Sequence, residues 1–443
     1  MCEFKISYTD LIQQQASIKL LYKFCKNPFN VFKRLGPGLI TGAADDDPSG
    51  IATYSQAGAQ YGFGLLWTIV LTYPLMAGIQ MICARIGLVT GRGITSNMHR
   101  CYPIAITLPL ILLLLVANII NIAADLSAMS DALTLAIGGP RHLYSILIGS
   151  GCLLLQVFIP YHRYLPILKW LTLSLFAYVG TVFASHVDWS HVIEDTLVPN
   201  ISLDANYVLL VVGVFGTTIS PYLFFWQAAE EVEDIADTPD RKSLIEYPAQ
   251  APTELRRVTY DTVFGMGFSN LIAFFIMLTT AATLFPAGIH NIQTSAEAAA
   301  ALRPIAGDFA FILFALGILG TGLLAIPVLA GSAAYAVAEL MKKPASLKLT
   351  VWSAKHFYGV IVIATLIGVG LDFTGIDPIK ALIWSAVING IVAVPLMIAV
   401  MHMSSLQTIM GDFTVKGKTR LLGWSATALM TVAAMILGFV SLL

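Results

Sequence analysis

Asp45, Asp46 and Asp47, followed by Pro48, Ser49 and Gly50, stand inside a segment that is otherwise apolar enough to cross a membrane. A charge at bilayer depth costs several kcal/mol. Proline removes a helix hydrogen bond and clashes with the preceding turn. Broken backbone at that depth is tolerated only where it is buried in protein or lines a watery cavity. The chemistry such a stretch can do is cation binding on a transport path. A second break, Gly216-Thr217-Thr218-Ile219-Ser220-Pro221-Tyr222, interrupts another apolar segment.

The elements that must position these residues are membrane helices. The chain has 443 residues, 57% of them hydrophobic and only 12% charged, with a mean hydropathy of +0.78. Long apolar runs recur along its whole length, which excludes a soluble domain. Hydropathy predicts eleven spans: Leu35–Ser55, Leu65–Leu88, Ile104–Leu133, Leu143–Ile159, Leu165–Phe183, Val208–Ala229, Val258–Leu284, Phe309–Leu340, Tyr358–Leu371, Ile379–Met401 and Leu421–Leu442. The basic residues 1–34 read as a cytosolic tail, not a cleavable signal. Cys2, Cys25, Cys83, Cys101 and Cys152 show no metal spacing and read as free thiols.

Lys and Arg set the orientation. With the N-terminus in the cytosol, they fall on inner segments: the tail, Arg92 and Arg100, Arg163 and Lys169, Arg241 to Arg257, Lys342 to Lys355, and Lys416 to Arg420. Arg141, Arg303 and Lys380 fall outside. This places the C-terminus on the extracellular or periplasmic face of a plasma (inner) membrane. The largest inner loop, Glu230–Arg257, reads as a solvated, partly amphipathic connector. Trp67, Trp170, Trp189 and Trp352 fit an aromatic belt, and His162, His186, His191, His290 and His356 read as interfacial.

Interrupted helices at matching places in two halves point to inverted repeats around a midplane site. Five spans separate the breaks, so residues 35–185 and 206–402 read as the two halves, with residues 419–443 as an appended eleventh span. The predicted class is an all-α polytopic membrane protein.

Gly36-Pro37-Gly38-Leu39-Ile40, Asp47-Pro48-Ser49-Gly50 and Gln56-Ala57-Gly58-Ala59 resemble the first span of the Nramp divalent-metal transporters, and the sixth span is similar too. The resemblance covers essentially all spans and implies a LeuT-type fold. In the family, manganese and iron are held by the Asp and Asn of the first break, a methionine sulfur and a sixth-span carbonyl. By that resemblance Asp47 stands at the Asp, Gly50 at the Asn, Thr217 at the carbonyl donor, Ser220 at the methionine and Tyr222 at a histidine. Ala44, just ahead of the acids, is counted with the metal residues.

These departures carry an expectation about selectivity. A thioether favours transition metals, and a hydroxyl does not. Magnesium takes oxygen ligands and keeps several waters, which Gly50 in place of Asn leaves room for. Asp47, Thr217, Ser220 and Asn389 offer oxygens. The pattern resembles the Nramp-related magnesium branch, with manganese also passing. Of the family's proton-path residues, Asp125 matches the third-span Asp. Ala128 stands for a Glu, Tyr222 and Gln227 stand for histidines, and the ninth span Tyr358–Leu371 holds no arginine. With few titratable groups left, transport is expected to be uncoupled. The alternative is a proton-coupled Mn2+/Fe2+ transporter of the ordinary Nramp type.

Blander roles stand beside these. Asp47 reads as a ligand rather than only a helix cap. Asp45 and Asp46 either ligate a hydrated ion or form a negative vestibule, and the vestibule is favoured. Thr217 and Ser220 read as pocket residues, or as groups that satisfy backbone freed at the kink. Asp125 reads more as a relic paired with a polar neighbour than as an ion contact. Asn118 and Asn121 read as interhelical hydrogen bonders. An organic-solute carrier is disfavoured because it needs half-helix N-termini free to hold a carboxylate. A membrane enzyme or sensor is disfavoured because no glycine-rich nucleotide loop, HExxH or output domain is present. No cofactor, nucleic acid or obligate protein partner is expected, only the transported ion and the bilayer.

Overall fold

The computed structural model describes residues 37–159, 172–185, 187–199, 201–238 and 240–442. The basic tail 1–34, Cys2, Cys25, His162, Arg163, Lys169, Trp170, His186 and part of the predicted fifth span lie outside them. The described residues are helical, with no strand among them. The principal helices are α1 Pro37–Asp45, α2 Pro48–Tyr61, α3 Leu66–Thr90, α4 Ile94–Cys101, α5 Ile104–Ile137, α6 Arg141–Phe158, α7 Phe176–Ala184, α8 Trp189–Leu197, α9 Ala205–Thr218, α10 Pro221–Asp237, α11 Ala251–Thr283, α12 Ala310–Leu340, α13 Lys355–Asp372, α14 Pro378–Ser405 and α15 Gly417–Val440.

Local chemistry sets where these helices start. Asp47, Asp204 and Asp377 each cap an N-terminus with a side-chain oxygen, and Pro48 and Pro378 occupy first helical positions where no donor is lost. Gly91, with φ 63, ends α3 in the left-handed region that glycine adopts at no cost.

Nine helical stretches among the described residues are long and apolar enough to cross a membrane. Eleven were expected from hydropathy. The first span is instead two short half-helices, α1 and α2, and the second of these falls in one stretch with α3. The described part of the fifth span is only a short apolar helix, Leu173–Ala184. The protein is a multi-pass membrane protein. Its outward faces carry Leu112, Leu113, Val116, Ile363 and Leu366, all exposed, while Asp45, Asp46, Asp47, Asn121, Asp125 and Asn389 are buried. That inversion is what a lipid solvent demands.

Helix pairs approach closely at small residues, as membrane packing favours. A Cβ on Gly58 would lie 2.2 Å from the Met277 carbonyl oxygen, and one on Gly216 would lie 2.1 Å from that of Ala386. Only glycine lets α2 meet α11, and α9 meet α14, this closely.

The expected solvated connector Glu230–Arg257 forms only between the helices, where Asp240, Lys242 and residues 245–249 are exposed. α10 runs on to Asp237 and α11 begins at Ala251. Their ends pack together as an ion-pair cluster, because Arg257 of α11 reaches Glu231 and Asp234 of α10 and Arg241 of the intervening segment bridges the two helices. Arg257 pairs with Glu231, with Glu254 at 2.8 Å and with Asp234 at 3.4 Å, while Arg241 joins Asp234 and Glu254. Glu231 is fully buried. Lys348, in the segment between α12 and α13, pairs with Glu233 at 3.3 Å and with Asp237. Its partial burial works against the charge, yet Asp237 and Glu233 hold its ammonium above the usual lysine range.

Candidate functional site

The two breaks lie side by side. The Tyr54 hydroxyl of α2 meets Thr218 Oγ1 of α9 at 3.2 Å, and the Tyr222 hydroxyl of α10 donates to the Ala44 carbonyl of α1 at 3.1 Å. Asp47, Gly50, Thr217, Ser220, Ala44 and Tyr222 are thus brought into one buried region.

Asp47 is an N-cap in the geometric sense. Its Oδ1 accepts from the Gly50 N–H at 2.8 Å and from Ser49 Oγ at 2.6 Å, while Oδ2 accepts from Asn121 Nδ2 at 2.9 Å. Oδ1 is therefore occupied. Oδ2 has one donor and a lone pair to spare.

The hydroxyls at the second break differ. Ser220 Oγ donates back to the Gly216 and Thr217 carbonyls at 3.0 and 2.7 Å, satisfying backbone at the end of α9. Thr217 Oγ1 is buried and has no partner. A Cβ built on Gly50 would lie 3.0 Å from that oxygen and 3.6 Å from Asp47 Oδ1. Gly50 therefore lets the backbone of α2 lie close to Thr217, where a Cβ would already be a tight contact with its hydroxyl and with Tyr54.

The third and tenth spans contribute as well. Asn121 Nδ2 donates to both Asp47 Oδ2 and Asp125 Oδ2, and Asn121 Oδ1 accepts from Asn389 Nδ2 at 2.8 Å. Asp125 Oδ1 and Asn389 Oδ1 are buried and unpartnered. Asn121, read from the sequence as a packing residue, is the centre of this network. The only signal that pointed to it was its polarity in an apolar helix.

The sequence favours Asp45 and Asp46 as a negative vestibule. They are instead 1% and 3% exposed, and both meet Ser269 Oγ of α11, at 2.8 and 3.0 Å. Asp45 ends α1 where it packs on α11 and Asp46 follows it in the break, so no open vestibule surrounds them in this conformation. Among the described residues, no Lys, Arg or His lies within ion-pair distance of Asp45, Asp46, Asp47 or Asp125. Among the described residues, four buried carboxylates are held by neutral donors alone, a charge that a bound proton or a cation would offset. Oxygen donors from α2, α5, α9 and α14 are what the site can offer a cation.

Residues 38–440 match the family described as natural resistance-associated macrophage protein-like. The chain belongs to the Nramp family. Among curated relatives, the divalent metal cation transporter MntH of Acidiphilium cryptum (strain JF-5) is 24% identical over 394 residues, covering 87% of this chain and 85% of the relative. MntH of Yersinia pestis (strain Pestoides F) is 28% identical over 300 residues, covering 65% and 68%. The crystal structure of the Eremococcus coleocola manganese transporter in complex with an aromatic bis-isothiourea substituted compound superposes with a TM-score of 0.70 at 16% identity, covering 91% of this chain and 85% of that one. Mhp1, a nucleobase-cation-symport-1 family transporter, gives 0.58 at 12% identity, covering 92% of each chain. These likenesses establish the LeuT-type fold.

The other sequence candidates of this Nramp chain separate. Tyr222 stays at the break, but Gln227 does not reach it. Gln227 Nε2 approaches Glu231 Oε1 at 3.5 Å, on the side of the ion-pair cluster. Arg141, placed outside by charge, reaches the end of the ninth span. It pairs with Asp372 at 2.6 Å and donates to Ser127 Oγ at 2.6 Å. Arginine stays protonated, so it brings charge there and no exchangeable proton. Gln56 of the Gln-Ala-Gly-Ala stretch clasps the segment after α11, accepting from the Ile292 N–H at 2.8 Å and donating to the His290 carbonyl at 3.2 Å. Cys83, Cys101 and Cys152 are free thiols.

Proposed function

We propose that this Nramp chain carries divalent cations into the cell, Mg2+ first and Mn2+ as well, without coupling to protons. The observation that carries the reading is the donor set at the breaks. Asp47 Oδ2 has one donor and a lone pair to spare, and Asp125 Oδ1, Thr217 Oγ1 and Asn389 Oδ1 are buried without partners. None of these residues carries sulfur, and Ser220 stands where the family resemblance places methionine. Oxygen-only donors suit a hard ion that keeps part of its water. The names of the MntH relatives support a divalent cargo.

The uncoupled mechanism rests on Tyr222 and Gln227 in place of histidines and on Ala128 in place of a glutamate. Driving force is available without protons. An inside-negative potential of 100 mV contributes about 4.6 kcal/mol to influx of a divalent ion, at about 2.3 kcal/mol per charge. We further assign residues 35–185 and 206–402 as the inverted halves and residues 419–443 as the appended span. The N-terminus is placed in the cytosol and the C-terminus outside a plasma membrane. The test is uptake into proteoliposomes under an imposed negative potential, with an internal Mg2+ dye and an internal pH dye read in parallel. Mg2+ influx without acidification is the expected result. Mn2+ influx with acidification and no Mg2+ influx overturns it.

A further inference from the structure

We propose that Asn121 is a positioning residue of the cation site. Its carboxamide holds the carboxylates of Asp47 and Asp125 toward one point and links them to Asn389. The inference rests on the reading of the breaks as a divalent-cation site and goes beyond it, because no role in that site had been given to Asn121.

Every hydrogen-bonding atom of this side chain that can be placed is used. Nδ2 has two protons, and they go to Asp47 Oδ2 at 2.9 Å and Asp125 Oδ2 at 3.1 Å. Oδ1 accepts from Asn389 Nδ2 at 2.8 Å. This arrangement fixes which end of the amide faces the acids, since a carbonyl oxygen turned toward two carboxylates would repel both. Asn121 is fully buried, so water offers no substitute donor. One nitrogen thus keeps two carboxylate oxygens within 6.0 Å of each other. Without it, like charges in a low dielectric would move apart.

The consequence is positional. Asn121 is the donor at Asp47 Oδ2, while Gly50 and Ser49 hold Oδ1, so Asn121 completes the set of donors that fixes the plane of this carboxylate. Asn389 Oδ1 is left unpartnered because its amide is turned so that Nδ2 faces Asn121. The same side chain therefore orients donors on the first span and the tenth. Groups that orient metal ligands typically change affinity 10–100-fold when removed.

The test uses the full chain in proteoliposomes, with Mn2+ uptake rates measured against concentration, and Mn2+-dependent thermal stabilisation of the purified protein as a second readout. Asn121→Ala is expected to raise KM about 10–100-fold, to lower the maximal rate by less, and to shrink the Mn2+-induced thermal shift. Asn121→Ser, which keeps one donor, should fall between and carries the test if the alanine variant does not fold. In an Asp125→Asn background the effect of Asn121→Ala should diminish. An unchanged KM, or a lower maximal rate at unchanged KM, overturns the inference and leaves Asn121 a packing residue. Asp47→Ala in the same assay separates the two levels. If it retains uptake, the site reading fails. If it abolishes uptake while Asn121→Ala leaves KM unchanged, only the role of Asn121 fails.

Discussion

Asp47 holds two roles that a single substitution to alanine would confuse, and Asp47→Ser separates them. As a cap, Asp47 accepts from Gly50 N and Ser49 Oγ at the start of α2. Serine caps about as well as aspartate, whereas alanine costs about 1 kcal/mol. The serine variant should therefore keep its half-helix, losing only the bond to Asn121. As a ligand, the carboxylate acts on a divalent ion. At about 4 Å and an effective dielectric of about 20, that attraction is roughly 8 kcal/mol before the ion's desolvation is subtracted. The charge effect thus exceeds the cap effect several-fold. Asp47→Ser is expected to melt close to the unsubstituted protein, and Asp47→Ala below it. Both should show uptake at the level of empty liposomes. The assays are thermal unfolding in detergent and dye-reported Mg2+ and Mn2+ uptake. Near-normal uptake by Asp47→Ser would refute the reasoning and leave Asp47 a cap alone.

Two further outcomes follow from the packing. Ser220→Met with Gly50→Asn should move preference toward manganese, iron or cadmium by bringing in sulfur. It should also lower Mg2+ uptake, because a side chain at position 50 would crowd Thr217 Oγ1, 3.0 Å from its Cβ; an unchanged ion profile in competition uptake would put selectivity elsewhere. Arg257→Ala leaves Glu231 buried and without its partner, at a cost of about 3–5 kcal/mol. The variant should melt lower and purify poorly, and an unchanged melting temperature would show that the cluster does not hold α10 to α11.

The breaks were legible because charge and proline inside an apolar run have few explanations. Nothing local distinguished the network around Asn121. An asparagine in a membrane helix fits any interhelical hydrogen bond, and its partners Asp47 and Asn389 lie 74 and 268 positions away. Family resemblance treated Tyr222 and Gln227 alike, as replacements for histidines. Five residues along an α-helix turn the side chain by about 140°, so the two face different surroundings. Gln227 instead shares a face with Glu231, four residues on. The ion-pair cluster at the ends of the connector is hidden in the sequence for a related reason. Composition shows charges in a connector, but not that two helices extend through it and bring opposite signs into contact.

Charge balance ties the network to the proposed mechanism. Asp47 and Asp125 face one neutral amide, and no cationic side chain of the described residues pairs with either. An amide directs two carboxylates but cannot cancel their charge. One divalent ion cancels two. On the proposed reading the cargo itself neutralises this pair, while Asp45 and Asp46 keep Ser269 Oγ as their donor. A histidine at position 222 or 227 would have offered a titratable group near neutral pH. Tyr222 spends its hydroxyl on the Ala44 carbonyl, and Gln227 turns to Glu231. On that same reading, the substitutions that remove proton carriers and the geometry that holds two acids across one amide both fit a divalent cargo that neutralises Asp47 and Asp125.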